Sequence, residues 1–146
     1  MQLALKEAKK ALQKNEVPIG SIIVDSKNNI IAKAYNCVES KNSQTAHAEI
    51  IALQKAGKKM NDWRFLDCTL YVTLEPCNMC IYAILLSRIS RVVFGANSPI
   101  FGFRLDKHKS YEVYNSPVVI ESGVGKKEAE QLLKLFFKQK REKRSE

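Results

Sequence analysis

Ala4, Leu5, Ala8, Ala11 and Leu12 recur at the spacing of one helix face, which predicts an amphipathic helix over residues 2–15 that Pro18 stops. The pattern then changes. Residues 19–24 and 30–35 are runs rich in β-branched residues, and the Ser26, Lys27, Asn28 and Asn29 between them include asparagines that tolerate positive φ, so the pair reads as a hairpin. Thr45 is placed as an N-cap, opening a helix that runs to about Ala56 with Gly57 as its stop. A third strand is expected over 69–74. Pro76 follows it where the first turn of a helix accepts proline, and that helix should cover 77–87. Ile81, Tyr82, Ala83, Ile84, Leu85 and Leu86 make it apolar almost all round, leaving no face for water. One side should pack on the sheet, and a second copy of the protein is the simplest cover for the other.

Residues 91–94 and 118–122 read as the fourth and fifth strands. Antiparallel neighbours need only a tight turn, whereas about twenty residues separate these two, enough for the crossover that parallel strands require. A last helix begins near Lys126, with Leu132, Leu133, Leu135, Phe136 and Phe137 on its apolar side to about Arg141 and a basic end reaching about Arg144. No repeat, linker or low-complexity stretch divides the 146 residues, so one domain over 1–146 is expected. The order of elements predicts a three-layer α/β/α sandwich on a mixed five-stranded sheet.

Composition adds a partner class and a compartment. No charged segment followed by a short apolar one opens the chain, and no apolar run approaches the roughly 18 residues of a membrane span. The expectation is a soluble protein of the reducing cytoplasm, where spaced cysteines more often hold metal than form disulfides. The formal net charge is +9, and Lys134, Lys138, Lys140, Arg141, Lys143 and Arg144 crowd the C-terminal end against Glu142 and Glu146. A polyanion is the natural partner of such a surface, because each neutralised phosphate releases a counterion. A solvated helix face is the alternative.

The chemistry sits in two short stretches, Thr45-Ala46-His47-Ala48-Glu49 and Glu75-Pro76-Cys77-Asn78-Met79-Cys80. One imidazole and two thiolates, His47, Cys77 and Cys80, make a three-ligand zinc site whose fourth position is open to water. Cys77 and Cys80 fall three apart in the first turn of a helix, where the dipole favours thiolate, and the site would tie two helix N-termini together across the sheet. Residues two apart on a regular helix point about 200° apart. His47 and Glu49 can therefore share a pocket only in a first turn, and there Glu49 would manage the protons of the water. A structural zinc knuckle with Cys37, Cys68 or His108 as fourth ligand is the competing arrangement. The His-x-Glu spacing and the proline before Cys77 favour catalysis, and Cys37 and Cys68 then fall to the core.

These motifs form the signature of zinc deaminases acting on nucleobases. Together with Val17-Pro18-Ile19-Gly20, Tyr35-Asn36, Leu70-Tyr71-Val72-Thr73-Leu74, Ser87-Arg88-Ile89 and Val92-Val93-Phe94-Gly95-Ala96, the chain resembles the bacterial tRNA-specific adenosine deaminases of the cytidine-deaminase-like superfamily. The resemblance implies a homodimer with one zinc per subunit that converts the wobble adenosine of a tRNA anticodon to inosine. It makes His47, Cys77 and Cys80 the ligands, Glu49 the proton shuttle and Asn36 a purine contact. It also places RNA contacts on a basic closing helix, at Lys138, Lys140 and Arg141, with Phe136 and Phe137 read as core in preference to base stacking. The chain departs from the family pattern at Ile81 and Tyr82, and over residues 97–104, a loop that borders RNA in the family. Two other functions compete: deamination of guanine or another free base or nucleoside, and a non-catalytic, zinc-stabilised RNA-binding module. The basic C-terminus favours RNA over a free base, and Glu49 favours an enzyme over a structural zinc site.

Overall fold

The computed structural model describes residues 1–103, 112–113 and 116–145. The chain opens with α1 (Gln2–Gln13), the hairpin β1 (Gly20–Val24) and β2 (Ile30–Tyr35), a short helix α2 (Val38–Lys41) and α3 (Ala48–Met60). It continues with β3 (Thr69–Leu74), α4 (Asn78–Leu86), β4 (Arg91–Ala96), a two-stranded β5 (Glu112–Val113) and β6 (Ser116–Pro117), β7 (Val119–Glu121) and α5 (Lys126–Arg144). The main sheet has five strands in the order β2-β1-β3-β4-β7.

Strand direction follows the connections. β1 lies antiparallel to β2 and to β3, while β3, β4 and β7 run parallel, Arg91 pairing with Val119. The long connection ahead of β7 is thus a crossover, as its length required. Its small β5–β6 pair was not foreseen, because two-residue strands are too short to carry an alternation. Helices cover both faces. α3 and α4 pack on one, around Ile51, Leu53, Ile81, Ile84 and Leu85, and α1 and α5 meet on the other, around Leu5 and Ala129. Among the described residues, no helix is long and apolar enough to cross a membrane.

Several expected boundaries move. α3 is capped by His47 and not by Thr45, whose hydroxyl instead pairs with Ser43 Oγ at 3.0 Å. The helix also continues through Gly57 to Met60 and ends on Asn61 at φ 53°. Tertiary anchoring overrides the glycine: Lys55 and Lys59 on this helix donate to the carbonyls of Lys33 and Ile30 on β2, each at 2.9 Å. Pro76 lies outside α4, whose cap is Cys77, and its carbonyl accepts the N–H of Phe103. Finally, α3 and α4 share a face, so their N-termini meet side by side and not across the sheet.

Candidate active site

Because β1 opposes both neighbours and β4 follows β3, strands β2, β3 and β4 all release the chain at one edge of the sheet. Open α/β sheets build their sites at such carboxyl ends. From β2 the chain passes through Asn36 and Cys37, and the Cys37 N–H donates to Ala46 O at 3.0 Å, which draws the residue before His47 to the strand end. From β3 it passes through Glu75 and Pro76 into Cys77. His47 and Cys77 each occupy an N-cap in extended conformation, at ψ 150° and 172°, yet neither side chain makes a capping hydrogen bond. Both turn toward each other instead. His47 Nδ1 lies 3.3 Å from Cys80 Sγ and 3.7 Å from Cys77 Sγ, and the three donor atoms fall within 4.8 Å of one another.

That spacing fits zinc. A tetrahedral ion with bonds of about 2.3 Å to sulfur and about 2.0 Å to nitrogen separates those donors by about 3.5 Å. The protonation of the three side chains points the same way. A hydrogen bond from Cys80 and another from His47 hold the Cys77 thiol down to about 4, against the effect of burial. The same contact with Cys77, then burial and the Glu49 charge, push Cys80 far up, and contact with Cys77 raises His47. A second thiolate beside Cys77 calls for a cation to offset it. A divalent ion supplies that charge and leaves His47, Cys77 and Cys80 as its ligands.

Glu49 occupies the second position of α3, with 4% of its surface exposed, and burial pushes its carboxyl up to about 7. A carboxyl in that range can both take and give a proton at neutral pH. Asn36 is buried at the end of β2, where its Nδ2 donates to Glu16 Oε2 at 3.4 Å. Cys68 is buried in the core and Cys37 donates to Tyr35 O, as expected of passive thiols, while His108 lies outside the described residues.

Two carboxylates had drawn no role from the sequence, Glu16 and Glu75. Glu75 Oε2 accepts the Ser98 N–H at 2.8 Å, and Gly102 pairs with Cys77, so the 97–103 loop is bound to the ligand segment. A side chain at Gly102 would strike that carboxylate, its Cβ lying 2.6 Å from Glu75 Oε2. The acid before Pro-Cys was a visible signal for Glu75. Glu16 had none beyond being an acid ahead of Val17-Pro18.

Beyond α2 lies a groove of about 310 Å³ lined by Val17, Glu39, Phe136, Phe137, Lys140, Arg141 and Arg144. Of the three basic residues expected at RNA, Lys140 and Arg141 line it. Lys138 does not, and faces Glu142 at 3.9 Å. Phe136 is buried as expected, with Lys140 Nζ 5.4 Å above its ring. Phe137 is not core: it is 48% exposed, because it stands one position further round the helix, on the groove side.

Residues 1–96 match the family described as the cytidine and deoxycytidylate deaminase zinc-binding region. The tRNA-specific adenosine deaminase of Haemophilus influenzae is 43% identical over 99% of this chain and 84% of its own length. The chain belongs to the tRNA-specific adenosine deaminase family. Zinc is its cofactor, and His47, Cys77 and Cys80 form a group whose spacing suits it. Among solved structures, one from a study of A-to-I editing by tRNA:A34 deaminases at the wobble position of transfer RNA is 36% identical, with a TM-score of 0.82 over 91% of this chain and 97% of that one. A Bacillus subtilis guanine deaminase is also 36% identical, with a TM-score of 0.63 over 66% of this chain and 61% of that one. The match to the Haemophilus influenzae enzyme extends over α5 as well as the zinc region.

Proposed function

We propose that this deaminase hydrolyses adenosine to inosine at the wobble position of a tRNA anticodon. The observation that carries the reading is a zinc-ligand cluster with the buried Glu49 carboxyl beside it, in a chain that also carries a basic groove at α5. When bound, zinc would lower the pKa of a water to about 7, so that it ionises near neutral pH. Glu49 takes a proton at its carboxylate and delivers it to the ring nitrogen beside C6. It then takes the proton of the hydroxyl formed at C6 and passes it to the departing amine. One C–O bond forms at C6, one C–N bond breaks, and ammonia leaves.

Asn36 contacts the purine, at the end of β2 beside the His47 loop. Lys140, Arg141 and Arg144 meet the RNA backbone, and Phe137 offers an apolar surface in the same groove. A free base needs no phosphate contacts, so the groove weighs against guanine as substrate. Zinc alone would be satisfied by a closed structural site, and the unliganded Glu49 weighs against that role. The protein works as a C2 dimer in the cytoplasm, joined through the exposed apolar side of α4.

The test is a substrate panel for the zinc-loaded protein: an anticodon stem-loop with adenosine at the wobble position, free adenosine, guanine and cytidine, with nucleosides separated after incubation. Inosine from the stem-loop, with the free compounds at background, is the expected result. Turnover of guanine in preference to the stem-loop would contradict the substrate, and no turnover at all would leave a binding module.

A further inference from the structure

Glu16 lies between α1 and β1 with 0% of its surface exposed. A carboxylate so placed needs donors, and the start of α2 and the Asn36 amide supply them. Oε1 accepts the backbone N–H of Ser40 at 2.6 Å, while Oε2 accepts that of Glu39 at 3.1 Å and Asn36 Nδ2 at 3.4 Å. The first two are orphan N–H groups at the start of α2, whose own cap Cys37 supplies no side-chain hydrogen bond. Glu16 therefore caps α2 from outside. The third contact orients Asn36. A carboxylate only accepts, so the amide must present Nδ2 to it, which leaves Oδ1 and the second N–H directed elsewhere. The same acid feels the charge of Lys140 on α5, and Glu39 borders the basic groove. One buried side chain thus joins the amide, the short helix and the groove.

We propose that Glu16 is a positioning residue for deamination: it fixes the Asn36 amide in the orientation that meets the purine and holds α2 in place beside the RNA groove. This rests on the reading that Asn36 contacts the base. Glu16 is fully buried, out of reach of a substrate, so its effect passes through Asn36. A glutamine in its place keeps the size but exchanges one acceptor for a donor, which opposes either Asn36 Nδ2 or a backbone N–H of α2.

The experiment is a double-mutant cycle on the zinc-loaded full chain with the adenosine stem-loop: Glu16→Gln, Asn36→Ala and the pair, each checked for zinc content and melting temperature. Glu16→Gln should retain zinc and lower kcat by roughly ten- to a hundredfold, the scale of a charge-assisted hydrogen bond. KM should stay close to the parent's, because the phosphate contacts remain. In the Asn36→Ala background the same substitution should cost nothing further in kcat. A full loss in both backgrounds, or none in either, overturns the role of Glu16 while leaving Asn36 as a base contact. Parental activity in Asn36→Ala alone removes the reading of Asn36, and the proposal with it. If Glu16→Gln does not fold, the parent protein still decides. The Asn36 side-chain amide, assigned by nuclear magnetic resonance from its loss in Asn36→Ala, should exchange its hydrogen far more slowly than a free amide, and exchange at the free rate overturns the proposal.

Discussion

His47 and Cys77 stand where helices ordinarily place serine, threonine or aspartate, and both give up capping for the metal cluster. A missing cap costs about 1 kcal/mol, and zinc binding more than offsets two of them in a site of this kind. The ligand set was legible because a His-x-Glu and a Cys-x-x-Cys each keep their partners within one helical turn. Glu16 was not legible, since its role depends on α2, 23 and 24 residues away. Glu49→Gln should retain zinc and fold while turnover falls by roughly a hundred- to ten-thousandfold, the range for losing a general acid–base group. Metal analysis beside the activity assay checks this. Loss of zinc together with activity would make Glu49 a ligand.

The sequence of α4 is apolar almost all round, and the structure divides that surface. Ile81, Ile84 and Leu85 enter the core, while Tyr82 and Leu86 are 53% and 55% exposed. With Met79 and Ala83 they complete a stripe at i, i+3, i+4 and i+7, the spacing of a helix seam. Covering it with the same stripe of a second copy removes it from water. Light scattering at micromolar concentration should find a dimer. Leu86→Glu, at an exposed position that spares the fold, should give a monomer with an unchanged zinc content, whereas a parent that is monomeric would refute the interface. Element ends were less legible than element identity: Gly57 does not stop α3, because lysines on that helix reach β2 carbonyls that a local pattern does not reveal.

Across the whole molecule the net charge is +9, a cluster of the cations stands at the end of α5, and three of these line a groove alongside α2. The parallel pairing of the last two strands of the main sheet could be argued from connection length. The groove could not, because it joins residues from both ends of the chain. Reversing Arg141 and Arg144 to glutamate, with Lys140 kept because its charge faces Glu16, should raise KM for the stem-loop and leave turnover at saturating RNA nearly unchanged. The salt dependence of binding should flatten by roughly 0.7–0.9 log–log units for each phosphate no longer neutralised. A salt slope equal to the parent's would make these arginines a solvated face.

Hydrolytic deamination of an RNA adenosine makes one demand that binding alone cannot meet. The oxygen on C6 of the product must come from water, as the amine departs. Incubating the zinc-loaded protein with the adenosine stem-loop in ¹⁸O-enriched water, then weighing the released nucleosides by mass spectrometry, measures this directly. The account predicts inosine carrying the heavy oxygen, formed in step with ammonia. A stem-loop that is bound but returns only adenosine would contradict it, as would inosine without the label.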